Sequence, residues 1–329
     1  MRIDDAVREF REQRARRRGL EPAVIPYTGY GAPGWIRVLG RVLLTGRPGD
    51  QSVAAVRGWR SFISIPVDGQ TVKITAGARV HHVVADRGGV IDVRLEADLA
   101  PGWHTVTLES EGGHRNAPPV EAPVFVLDPS SPFGIVSDVD DTVMVTALPR
   151  PLLAAWNSFV LNEHARTPTP GMAVLYDRLH RAHPQAPVIY LSTGAWNVAP
   201  TLGRFLSRNL YPPGPLLLTD WGPTPDRIFR SGRQHKIDQL ERLAEEFPDV
   251  RWLLIGDDGQ HDEETYGAFA ADHPENVAAV CIRRLSPGEA VLAGGRSRES
   301  WLGEETPAPW LSAADGKGLG EQLASAGLL

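Results

Sequence analysis

The hydrophobic period of the chain changes at Asp128-Pro-Ser-Ser-Pro-Phe133, and this switch restricts the fold more than any other feature. Before it, apolar and polar residues alternate in short runs: Trp35–Leu44, Phe62–Val67, Thr71–Thr75, Val90–Leu95, Thr105–Leu108 and Val124–Leu127. Period two marks strands with one buried face, and short strands at this spacing predict an all-β sandwich. Asp68-Gly69, between two of the runs, predicts a hairpin turn. After the switch, apolar runs at 134–137, 187–192, 215–219, 250–256 and 277–282 alternate with helical spacings. The latter are Met172/Leu175/Tyr176/Leu179, Leu202/Phe205/Leu206 and Ile237/Leu240/Leu243/Ala244/Phe247. Strands buried on both faces, alternating with one-faced helices, predict an α/β domain: a Rossmann-like, mostly parallel sheet covered on both sides. Ligands of such sheets bind beyond the carboxyl ends of the strands.

The expected organisation is therefore a basic helical arm over 1–30, a β-sandwich over 31–128, an α/β domain over 129–290 and a C-terminal extension over 291–329. That extension is rich in Gly, Ser and Pro, and Leu319–Leu329 reads as a closing helix. A length of 329 residues is enough for two separate cores. The single cysteine, Cys281, lies in the apolar run Val277–Ile282. It rules out an intrachain disulfide and a cysteine-based zinc site and reads as a buried core thiol. His81-His82 lies among the strands without a third ligand nearby and reads as a pair of strand histidines. No run reaches the ~18 apolar residues of a membrane span, and the first residues lack a signal-peptide core, so a cytoplasmic location is expected. The net charge of −6 gives no reason to expect nucleic acid as a partner. Residues 4–18 alternate acids with arginines and end in Arg16-Arg17-Arg18. They form either a solvated, ion-paired arm or a contact with acidic lipid head groups.

Two acidic clusters follow apolar runs directly. The first is Asp138-Val-Asp140-Asp-Thr142. Adjacent carboxylates at a strand end repel unless a cation or hydrogen bonds hold them, and Mg²⁺ with oxygen ligands is the natural partner. In that spacing one carboxylate can face a phosphorus atom while the other faces the leaving oxygen. A capped turn before a helix uses the same residue types. The second cluster is Gly256-Asp-Asp-Gly-Gln-His-Asp262, in which Asp257 and Asp258 can complete a metal site and Asp262 can brace it. Turn chemistry explains one acidic strand end far more readily than two. Ser192-Thr193-Gly194 ends another strand and offers a hydroxyl and free N–H groups to a phosphoryl oxygen. Lys236, read as opening the helix before the second acidic strand, can neutralise a phosphoryl charge.

In this order the four elements resemble the haloacid dehalogenase superfamily of phosphotransferases. The Asp-x-Asp-x-Thr signature matches at Asp138, Asp140 and Thr142, the Ser/Thr at Ser192, the Lys at Lys236, and the acidic Gly-Asp-x4-Asp motif at Gly256, Asp257 and Asp262. The resemblance spans roughly residues 132–284 and is strongest to the catalytic domain of the actin-patch type of phosphatidate phosphatase. Ser137–Val143, Tyr190–Asn197 with Phe205-Leu206, and Ile255–Tyr266 carry it. Asp258 stands where that family has a serine, and Ser192-Thr-Gly replaces a more usual Ser-Asn-Ser. The resemblance implies that Asp138 attacks phosphorus, Asp140 serves as acid and then base, and Thr142 fixes the loop. Ser192 and Lys236 would stabilise the phosphoryl group, and Mg²⁺ would sit on Asp138, the Asp140 carbonyl and Asp257. The expected substrate is a phosphate ester, either a phospholipid at a membrane surface or a soluble ester. A lipid- or protein-binding scaffold is the competing class, and the intact set of polar residues speaks against it. The stretch 144–170, with Leu152, Leu153, Trp156 and Phe159, reads equally as a flap over the site or a packed helix.

Overall fold

The computed structural model describes residues 3–45, 65–112, 118–145, 167–219, 225–259, 261–292 and 308–329. The chain divides into two compact units, Met1–Asp128 with Trp196–Pro200, and Pro129–Ala195 with Thr201–Leu329. Most of the stretch expected to form a flap or packed helix, 146–166, lies outside the described residues. No described helix is long and apolar enough to cross a membrane.

The first unit begins with α1 (Ile3–Arg17). Strands β1 (Glu21–Ala32), β2 (Gly34–Thr45), β3 (Ile65–Pro66), β4 (Thr71–Ala76), β5 (Arg79–Val84), β6 (Val90–Ala97), β7 (Gly102–Ser110) and β8 (Val120–Val126) follow. Hydrogen bonding joins the described strands into one mixed sheet, ordered β3-β2-β1-β8-β7-β4-β5, with β6 also on β2. It is mixed because β1 runs parallel to β8 while its pairing with β2 is antiparallel. The alternation read from the sequence holds in β4, which buries every second residue. Ile36 and Val38 of β2 share one buried cluster with Val72 and Ile74 of β4. Strands distant along the pairing path thus contribute to one buried cluster.

Two local readings are corrected. β1 occupies residues 21–30 of the expected arm, where Pro22, Pro26, Gly29 and Gly31 obscure the strand pattern. The turn at Asp68-Gly69 exists, but β3 pairs with β2, and β4 pairs with β5 and β7. The tight hairpin is β4–β5 instead, where Ala76 pairs with Arg79 and Gly77 takes a φ of 59°. A φ of that sign carries no steric cost only in glycine.

The second unit alternates strand and helix as expected. Its elements are β9 (Phe133–Asp138), α2 (Met172–Ala182), β10 (Val188–Ala195), α3 (Ala199–Arg208), β11 (Leu216–Thr219), α4 (Pro225–Glu246), β12 (Arg251–Asp257), α5 (Asp262–Asp272), β13 (Val277–Arg283), α6 (Pro287–Leu292), β14 (Trp310–Ala313) and α7 (Gly316–Ser325). The strands pair in parallel in the order β11-β10-β9-β12-β13-β14. β9 and β13 are buried throughout, which explains their unbroken apolar runs. Leu253, Leu254 and Ile255 in β12 are fully buried, each contributing roughly 1.5–3 kcal/mol of burial free energy. The C-terminal extension is part of this unit: β14 adds to β13, and α7 lies against α2 while burying Leu319 and Leu323. Cys281 is fully buried in β13, and burial pushes its thiol pKa up.

Candidate active site

Parallel pairing sets the site. β9 lies between β10 and β12, so Leu191 is level with Asp138, and Ile255 with Ser137. The chain therefore delivers Asp138, Ser192 and Asp257 to the same carboxyl edge of the sheet. Asp262 opens α5, just beyond the loop that leaves β12. Gly256 permits this close return, because a Cβ there would lie 2.6 Å from Asp262 Oδ2. Lys236 sits in the middle of α4 rather than at its start, as Pro225 begins the helix well before the apolar spacing becomes regular. From there its Nζ reaches Asp138 Oδ1 at 2.7 Å and Asp262 Oδ1 at 2.5 Å, with the side chain 4% exposed.

Asp138, Asp257 and Asp262 each place a carboxylate oxygen within 4.8 Å of the others, and all three are buried. Asp262 Oδ2 accepts from the Asp257 N–H at 3.3 Å, and Asp257 Oδ1 accepts from the Gly259 N–H at 2.7 Å. Asp138 Oδ2 and Asp257 Oδ2 are buried without a hydrogen-bond partner among the described residues. Among the described residues the three carboxylates of this cluster have one ammonium, paired to Asp138 and Asp262, which leaves two formal negative charges, the charge of one divalent cation. The donor set is all oxygen, as a hard cation such as Mg²⁺ requires. Residues and group fit.

Electrostatics express the same mismatch. Burial raises the Asp138 carboxyl well above the usual carboxylate range. Lys236 opposes that rise, while Asp262 and Asp140 add to it. Asp257 is raised by burial first, then by Asp262, Asp138 and Asp141. For Lys236, burial favours the neutral amine, but Asp138 and Asp262 outweigh it and hold the ammonium charged.

Asp140 is turned toward β10: Ser192 Oγ donates to its Oδ2 at 3.2 Å and accepts from the Gly194 N–H at 3.0 Å. Thr219 Oγ1 lies 3.1 Å from the carbonyl oxygens of both Thr193 and Gly194, fixing the loop after β10. Thr142 is buried, and its Oγ1 has no hydrogen-bond partner. Asp258 Oδ1 accepts from the Leu285 N–H at 2.7 Å, which ties the loop after β12 to the loop after β13. Among the candidate metal ligands, then, Asp138, Asp257 and Asp262 come together. The carboxylates of Asp140 and Asp258 are held by Ser192 and Leu285 respectively. Tyr211 donates to the Val143 carbonyl at 2.9 Å, and Tyr176 OH meets Ser137 Oγ beneath the same loop.

Sequence reading did not find Arg283. It ends β13 and is 3% exposed, and its Nη1 donates to the Asp141 carbonyl at 2.7 Å. The only signal was a cation placed directly after a fully apolar run. His81 and His82 lie in β5 of the first unit, where His81 Nε2 meets the Glu96 carbonyl at 2.8 Å and His82 Nε2 lies 3.1 Å from Glu111.

Comparisons with known proteins bear on this segment. Residues 133–284 match the family model of the catalytic domain of phosphatidate phosphatase APP1. Over 205 residues the chain is 27% identical to phosphatidate phosphatase APP1 of Saccharomyces cerevisiae, covering 61% of this chain and 34% of that protein. It is 26% identical over 187 residues to an uncharacterised protein of Schizosaccharomyces pombe, covering 54% and 29%. The chain spans about a third of the length of these curated relatives. Among solved structures, a carbohydrate acetylesterase from Xanthomonas citri aligns at 12% identity over 93% of this chain and 74% of that one. The TM-score of that alignment is 0.31. Residues 133–284, close to the span that the motifs indicated, are thus similar to the catalytic domain of phosphatidate phosphatase APP1.

Proposed function

We propose that this protein is a Mg²⁺-dependent phosphomonoester hydrolase acting through an aspartyl-phosphate, with a lipid phosphate of the phosphatidate type as substrate. One observation carries the reading: two orphaned carboxylate oxygens, on Asp138 and Asp257, face a site whose charge falls short by one dication. Of the two units, we read the second as haloacid dehalogenase-like and the first as a sandwich-type β domain.

Asp138, Asp257 and the Asp140 carbonyl would hold Mg²⁺, with Asp262 bracing Asp257 from behind. When bound, the ion offsets charge on both nucleophile and substrate. Asp138 attacks phosphorus through its carboxylate, while Lys236 fixes Asp138 by its other oxygen and neutralises the phosphoryl group. Asp140 donates a proton to the departing alkoxide and then takes one from the water that hydrolyses the aspartyl-phosphate. Ser192 orients the Asp140 carboxylate, and Thr193 and Gly194, in the loop that Ser192 begins, would lie toward the phosphoryl group.

The lipid assignment rests on the family likeness of residues 133–284 and on α1. That helix exposes Arg11, Arg14 and Arg17 together with Phe10, which is 64% exposed, and Arg18 just beyond it is exposed too. Such a face suits an anionic bilayer, with charge attraction outside and an apolar ring to insert. Asp138→Asn is expected to lower Mg²⁺-dependent phosphate release below about a thousandth of wild type without changing the circular dichroism spectrum. Retained activity in that variant sinks the nucleophile assignment. Parallel assays on phosphatidate in mixed micelles and on soluble phosphate esters separate lipid from soluble substrates.

A further inference from the structure

Arg283 holds a buried guanidinium at the catalytic edge of the sheet, and its bonds run to no metal-site carboxylate. Nη1 donates to the Asp141 carbonyl at 2.7 Å, and Nη2 meets Glu289 Oε1 at 2.6 Å. Glu289 is held in turn, since its Oε2 accepts from the Ser286 N–H at 2.8 Å. At the other end of this chain, Asp141 has a φ of 58°, the left-handed region that non-glycine residues enter only when the surroundings impose it. Its N–H donates to the Met144 carbonyl at 2.7 Å. Both polar groups of the strained residue are thus pinned, one by its own turn and one by Arg283, 142 positions away.

The residue immediately before Asp141 is Asp140. A left-handed residue reverses the chain locally, so its peptide orientation sets where the preceding side chain points. A buried guanidinium needs its charge paired, and here Glu289 pairs it through Nη2 while Nη1 is committed to that one carbonyl, with Nε buried without a partner among the described residues. We propose that Arg283, held by Glu289, is a positioning residue for Asp140: by clamping the Asp141 carbonyl it fixes the turn that aims the Asp140 carboxyl at the leaving oxygen. The proposal rests on the roles given above to Asp138 and Asp140.

Leaving-group dependence tests it. kcat/KM reports the steps through formation of the phosphoenzyme, in which an alkyl ester needs a proton on its leaving oxygen and an aryl ester such as 4-nitrophenyl phosphate does not. Arg283→Gln is expected to lower kcat/KM for phosphatidate about 100-fold and that for 4-nitrophenyl phosphate less than about 3-fold, in proportion to the general-acid contribution lost. Arg283→Lys, which can reach one acceptor but not both, falls between wild type and Arg283→Gln. Glu289 is 22% exposed at its side chain and leaves the arginine in place. Glu289→Gln therefore carries the same test if Arg283→Gln does not fold, with the same pattern at smaller amplitude. An equal loss on both esters, or no loss on either, overturns the positioning role while leaving the nucleophile intact. Phosphate release that survives Asp138→Asn overturns the catalytic reading and this inference with it.

Discussion

Replacing Lys236 by methionine isolates what the buried ammonium does. Methionine keeps much of the side-chain length and removes the charge that Asp138 and Asp262 share. In a metal-free protein the three clustered carboxylates then have no cation among the described residues, and the least costly response is for one further carboxyl to take up a proton. An aspartate with an ordinary pKa near 3.9 costs about 4 kcal/mol to protonate at pH 7, at 1.36 kcal/mol per pH unit. This agrees with the roughly 3–5 kcal/mol seen when one partner of a buried ion pair is removed. The unfolded chain keeps that carboxyl ionised, so the folded variant binds one proton more, and its stability must rise as the pH falls. At pH 5 the same protonation costs only about 1.5 kcal/mol. Thermal unfolding in EDTA should therefore show Lys236→Met melting about 8–16 °C below wild type at pH 7, for a domain of this size. The gap should close by more than half at pH 5. Adding Mg²⁺ at pH 7 should also narrow it, because a dication can pair the oxygens the lysine abandons. A variant melting within 2 °C of wild type at pH 7, or showing the same deficit at both pH values, refutes the charge bookkeeping on which the metal assignment rests.

Asp257→Asn should abolish the thermal stabilisation that Mg²⁺ gives the wild type, about 2.7 kcal/mol at a hundred times its Kd, and a variant that still responds moves the ion elsewhere. His235, which lies 3.4 Å from the Leu217 carbonyl through Nε2, has its pKa lowered to about 4, chiefly by burial. A folded value below the unfolded one means stability that is fully present above pH ~6.5 and lost as the pH falls toward 4. The urea midpoint of wild type should thus lose the equivalent of about 2 kcal/mol between pH 7 and 5, and His235→Gln should remove most of that dependence.

How much of this was legible in the sequence depends on where each signal sits. β9, β10, β12 and β13 are largely buried on both faces, so their apolar runs stand out, and the acids at the ends of β9 and β12 mark the candidate edge. Asp138, Ser192 and Asp257, from distant segments, could be placed together because a parallel sheet has only one carboxyl edge. The start of α4 was missed because Lys236 precedes the regular apolar spacing at Ile237 while the helix extends back to Pro225. β14 has four residues and no wholly buried stretch to announce it. Arg283 and Glu289 were illegible for a different reason. Their bonds depend on the register of β13 and on the left-handed φ of Asp141, neither of which has a local periodic signature. The first unit was legible as strands but not as a pairing order, since alternation tells which face is buried and not which strand lies alongside.

Cys281 makes the second unit its own reporter. The chain has one cysteine, and it lies in a central stretch of β13 with no accessible surface. Thiol reagents need both contact and thiolate, and the folded protein withholds both. Labelling of the unaltered protein therefore proceeds only through openings that expose β13, and its rate at low reagent reads the free energy of those openings directly. Mg²⁺ or a bound substrate that clamps the edge formed by β9 and β12 would slow a reaction on the neighbouring strand, so occupancy can be followed without measuring turnover. The same burial leaves the surface free for a single introduced cysteine to be labelled alone.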